Sequence, residues 1–165
     1  CSGSITEALL TNRASVAIGT LMLSRQLFET LDGFDTRPEL LYREDYELAL
    51  RLSQQAEAIA LPQVLVRVRE HAGRSTNYFE RAHEQTAWLY GHFAASCTDT
   101  ELKKTALKRK AYLVTEAAIK QLNQRQYRRG FKLLAHAAYS GDRIRHLVSV
   151  LFRTTVMKSK PASGT

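Results

Sequence analysis

The chain has 165 residues, enough for one compact domain or a half-domain with an extension, and it is 44% hydrophobic and 24% charged, an ordinary globular composition. Its net charge of +8 is unevenly placed: residues 1–100 hold 9 Lys and Arg against 13 Asp and Glu, whereas residues 101–165 hold 15 against 3. This balance excludes an intrinsically disordered chain, and no apolar run approaches the ~20 residues of a membrane-crossing helix.

In chain order, Ile5–Leu10 reads as a short helical turn and Ser15–Leu23 as a β-rich apolar run, expected to be a buried strand. Arg25–Leu31 reads as a helix with Ser24 as N-cap and Asp32-Gly33 as its stop. A helix is expected over Glu44–Gln55, where Tyr46, Leu48, Ala49, Leu50 and Leu52 form a broad apolar surface and Glu44 and Asp45 occupy the first turn. Ala58–Pro62 and Val64–Arg69 read as short strands separated by Pro62.

Beyond residue 76 the pattern is helical throughout. Trp88, Leu89 and Phe93 predict a packed helix within Tyr78–Ala95, and Thr98-Asp99-Thr100-Glu101 is a capping box opening a helix that runs to about Asn123. Tyr127–Tyr139 predicts another, with Phe131, Leu134, Ala135 and Ala138 on one side. A last helix from Asp142 to about Met157 carries Ile144, Leu147, Val148, Leu151, Phe152 and Thr155 on one face, bordered by Arg143, Arg145, His146, Arg153, Lys158 and Lys160. It either closes the helical extension or lies on an anionic membrane surface through residues 142–160. The end, 161–165, is expected to be disordered. Cys1 and Cys97 are far apart with no CxxC or nearby histidine pair, so neither a disulfide framework nor a zinc site is indicated, and a reducing cytoplasm fits.

Three segments taken together carry more information than any one: Gly33-Phe34-Asp35, then Glu44-Asp45-Tyr46-Glu47-Leu48-Ala49-Leu50-Arg51, then Arg69-Glu70-His71. In this order they resemble the C-terminal half of family 2 glycosyltransferases of the GT-A fold, in which a GGFDE turn precedes an EDxxLxLR helix and an RxH segment. Here the turn reads Asp32-Gly33-Phe34-Asp35-Thr36, with one glycine replaced, and the resemblance covers roughly residues 1–75, under half of the chain. Arg25 also matches a basic residue common in the family. The Asp-x-Asp motif that holds a divalent cation in such enzymes is absent from the sequence, so the chain is expected to be a fragment of a larger enzyme.

The resemblance implies an α/β fold, the acceptor-side half of a Rossmann-like GT-A domain at residues 1–75, followed by a basic all-α extension at 76–160. It makes Asp45 the general base toward the acceptor hydroxyl, with Glu44 beside it; attack with inversion needs one base and no protein nucleophile. It places His71 on the metal side of a Mg or Mn ion, a role a neutral imidazole can fill. Arg51, Arg69 and Arg74 are candidates for the donor's diphosphate, since a leaving diphosphate needs its charge neutralised. Each has a plainer alternative: Glu44 and Asp45 as helix-end charges, His71 as a surface residue, and the arginines as solvated or structural side chains. The implied partners are a nucleotide-diphospho-sugar donor and a glycan or lipid-linked acceptor, with no nucleic acid, in the cytoplasm or at the inner face of the plasma membrane. The competing class is a non-enzymatic helical interaction module.

Overall fold

The computed structural model describes residues 2–69 and 82–139. In order, the elements are β1 (Ser2–Gly3), α1 (Thr6–Leu10), a 3-10 turn (Ile18–Thr20), α2 (Arg25–Thr30), a second 3-10 turn (Pro38–Leu40), α3 (Glu44–Gln55), β2 (Ala58–Ile59), α4 (Ala82–Ser96), α5 (Thr100–Asn123) and α6 (Tyr127–Tyr139). They divide into two compact units, 1–110 and 111–165.

The α/β expectation is overturned, because the described residues are mostly helical. Strand is confined there to the antiparallel pair Ser2–Ile59 and Gly3–Ala58. The run Ser15–Leu23 is no buried strand: it bends through the 3-10 turn with extended flanks, and Met22 is 96% exposed. Val64–Arg69 is exposed without a ladder partner among the described residues, and only Ala58–Ile59 of the preceding stretch pairs. β-branched residues favour extended backbone, but a strand exists only where a neighbour takes its hydrogen bonds.

In the first unit the core is built around α3. The N-terminal turn of α3 gathers Glu44, Asp45 and Glu47, favourable beside the unpaired amides of a helix start, and its inner face buries Leu48, Ala49, Leu50 and Leu52. Two side chains fasten α1 to α3. The buried Thr6 hydroxyl lies 2.9 Å from both Ser53 O and Ser53 Oγ, and the Tyr46 hydroxyl donates to Leu9 O at 2.7 Å. The same Tyr46 oxygen is 2.9 Å from the hydroxyl of Tyr90, a fully buried residue of α4, with the two rings edge to face. Burial, then the bond to Tyr90, raises the Tyr46 pKa far above the ordinary phenol range. Leu40 is buried where the second 3-10 turn meets α4, and Gln85 Nε2 donates to Leu41 O at 2.9 Å.

The short helix α2 ends as its sequence predicts. Ser24 Oγ accepts from the Leu27 amide at 3.1 Å, and both Asp32 (φ 61°) and Gly33 (φ 66°) turn left-handed to stop it. A side chain at Gly33 would also meet the Phe28 ring at 3.2 Å, and that ring packs edge to face on Phe34. For α5 the cap is Asp99 and not Thr98: its Oδ1 accepts from the amides of Glu101 and Leu102 at 2.8 and 2.9 Å.

The described part of the second unit is the later half of α5 and α6. Ala111, Leu113, Val114, Ala117 and Ala118 are buried, and the buried Thr115 hydroxyl returns to Ala111 O at 2.9 Å. Arg125 at φ 62° turns the chain, and Gly130 then seats α6 against α5, since a Cβ there would lie 2.6 Å from Leu122 Cδ2. The residues expected on one side of α6 differ in burial: Phe131 and Ala135 are exposed and Leu134 is half-buried, whereas the packed side carries buried Gly130 and half-buried Leu133. The expected helix over 142–157 lies outside the described residues.

Two glycines separate tight packing from open space. Gly130→Ala should destabilise by about 1–3 kcal/mol, because Leu122 Cγ as well as its methyl must yield. Gly91→Ala should be neutral or stabilising by up to about 1 kcal/mol, because the nearest obstacle is the mobile end of Lys110 and alanine favours the helix. Denaturant midpoints of the two variants check this ordering.

Candidate functional site

The start of α3 and the turn after α2 come together through one side chain. Arg51 Nε donates to Glu47 Oε1 at 2.7 Å and its Nη2 to Glu47 Oε2 at 2.6 Å, a two-pronged pair one helical turn apart. Its Nη2 also donates to Gly33 O at 2.7 Å and its Nη1 to Leu31 O. The Glu47 side chain is only 4% exposed. The resemblance makes Arg51 a candidate for the donor's diphosphate. In the structure four of its five N–H donors are used to close the end of α2 onto α3, which makes it a structural clamp. The partner that sequence reasoning missed is Glu47, and its signal was an i, i+4 Glu–Arg pair.

Asp45 and Glu44 stand half-buried at the opening of α3. Asp45 Oδ1 accepts the Tyr46 amide at 2.7 Å, and no cation among the described residues pairs with either carboxylate. An acceptor-only group so placed can take a proton from a hydroxyl brought within hydrogen-bond reach. Arg69 is exposed and without a hydrogen bond or ion pair to the acids of α3 among the described residues. His71 and Arg74 lie outside the described residues, and Arg25 makes a loose, exposed ion pair with Glu29 at 3.8 Å. Among the described residues no three His, Cys, Asp or Glu side chains converge, so these residues do not build a site for the implied cation.

Sequence reasoning also missed a second cluster, in which Asp35 of the Gly-Phe-Asp turn is held by Arg37. The Arg37 amide donates to Asp35 Oδ1 at 3.0 Å, its Nε reaches both carboxylate oxygens at 2.8–2.9 Å, and Nη2 bonds Oδ2. The guanidinium lies 5.1 Å from the Trp88 ring centre, and Nη2 is 3.0 Å from His92 Nε2. Because a guanidinium only donates, that imidazole nitrogen accepts and the His92 proton sits on Nδ1. Trp88 and His92 stack at 5.3 Å, one turn apart on α4. The cluster pins the loop before α3 to α4.

Arg37, through the side-chain hydrogen bond first, holds the Asp35 carboxyl down at about 2. A depressed carboxyl stabilises the fold above its unfolded value of 3.8 and loses that contribution as pH falls through the folded value. Emission of Trp88, the one tryptophan of the chain, should therefore change between pH 4 and 2, and Asp35→Asn should remove the transition. A transition unaltered by that substitution contradicts the pairing.

Comparison with known proteins adds no relative: no family model matches the chain, and no curated protein or solved structure matches it either. No described helix is long and apolar enough to cross a membrane.

Proposed function

We propose that residues 1–75 serve the acceptor side of an inverting glycosyltransferase, with Asp45 as general base. The observation that supports this most is the half-buried Asp45 carboxylate in the first turn of α3, the helix that the Arg51–Glu47 clamp fastens to the carbonyls of Leu31 and Gly33. The acceptor oxygen attacks the anomeric carbon as its proton passes to Asp45; the bond from that carbon to the donor diphosphate breaks, and the nucleoside diphosphate leaves. Glu44 adds negative charge beside the base, and Arg51 positions the helix that carries both.

This reading takes a Mg or Mn ion with the donor, and the resemblance assigns its side to His71, with Arg69 and Arg74 toward the diphosphate. Donor and acceptor are a nucleotide-diphospho-sugar and a glycan or lipid-linked hydroxyl.

The test is release of nucleoside diphosphate by the native protein, with the product's anomeric configuration read by NMR. Release that requires an acceptor and gives inversion is expected. Retention would contradict a single base without a protein nucleophile, and no release with any donor–acceptor pair would favour the non-enzymatic module, which the largely helical described structure suits.

A further inference from the structure

The outer face of α6 combines features that a helix packed only for stability does not need. Tyr127 is 56% and Phe131 63% exposed, and Ala135 continues their stripe one turn on. Beside that stripe, and on the same exposed arc, stand Arg128 and Lys132, both exposed and with no ion pair among the described residues. Residues 111–139 contain a single acid, Glu116, against Lys120, Arg125, Arg128, Arg129 and Lys132. Gly130 and half-buried Leu133 and Leu134 take the opposite side, so the exposed arc is left over after α6 has packed.

We propose that this face of α6 docks on an anionic lipid surface, with Tyr127 and Phe131 at the level of the headgroups and Arg128 and Lys132 paired with lipid phosphates or carboxylates. Aromatic side chains settle where one end is apolar and the other wet, and cations beside them gain from a negative leaflet. Charge complementarity therefore selects anionic over zwitterionic lipid. A convex helix face offers neither a groove nor a sheet platform on which successive bases could stack, which sets lipid ahead of single-stranded nucleic acid. The face contains none of residues 142–160, and the proposal goes beyond the proposed transfer reaction, which it would bring to a membrane-borne acceptor.

The experiment is co-sedimentation of the full chain with phosphatidylcholine vesicles, with and without phosphatidylserine, at low and high salt. Binding is expected only with phosphatidylserine and should fall with salt. Arg128→Gln with Lys132→Gln should weaken it about 30-fold, and Tyr127→Ser with Phe131→Ser by about tenfold or more at unchanged net charge. All four side chains are exposed, so circular dichroism should show both variants folded. Absence of binding, equal binding to both vesicle types, or wild-type binding by the two variants would overturn the proposal. Binding of an RNA oligonucleotide in place of vesicles would overturn it in favour of nucleic acid.

Discussion

Arg51→Ala should destabilise the first unit by about 3 kcal/mol, the low end of the range for stranding a buried charge, since the Arg51 side chain is 26% exposed. The loss has two parts. Glu47, whose side chain is almost fully buried, would keep a carboxylate with no cation, and the carbonyls of Leu31 and Gly33 would lose their donors. Arg51→Lys should recover only part of it, because one ammonium cannot span the two Glu47 oxygens and both carbonyls at once. Glu47→Gln with Arg51 intact should cost less than Arg51→Ala, since the guanidinium keeps both carbonyls and has access to water. Urea unfolding of the three variants orders them. An Arg51→Ala variant within about 0.5 kcal/mol of the parent would show that the clamp is a surface ion pair of little consequence.

Helices were readable because their signals are local. Ser24 caps α2, Asp32-Gly33 ends it, and α3 begins at Glu44 and stops at Gln55 as its apolar spacing requires. The strands were not, for the opposite reason. Ser15–Leu23 and Val64–Arg69 have the composition of strands, but whether an extended run becomes one depends on a distant partner that composition does not name.

Single-residue errors had equally physical causes. At α5, Thr98 and Asp99 are both competent caps, and the carboxylate that reaches two amides took the position. On α6, the apolar side of Phe131, Leu134 and Ala135 does not name the packed side, because close approach at Gly130 fixes the rotation and leaves the Phe131 ring exposed. In the candidate site, the acids of α3 were readable from position. The Asp35–Arg37–Trp88–His92 cluster was not, since it joins residues more than fifty positions apart.

Asp45 carries the proposed chemistry, and the largest effect is expected there. Loss of a general base removes a stabilisation present in the transition state alone, typically a factor of about 10² to 10⁴ in turnover. Asparagine keeps the size of the side chain and an acceptor oxygen for the Tyr46 amide, so α3 should start as before. Glu44→Gln removes a neighbouring charge without removing the base, and should stay within about tenfold.

The most direct measurement is turnover of the Asp45→Asn native protein at saturating donor and acceptor, beside donor affinity by calorimetry. The expected result is turnover lowered at least about 10²-fold with donor Kd within about twofold of the parent. Turnover within about tenfold of the parent would make Asp45 a helix-end charge and contradict the assignment.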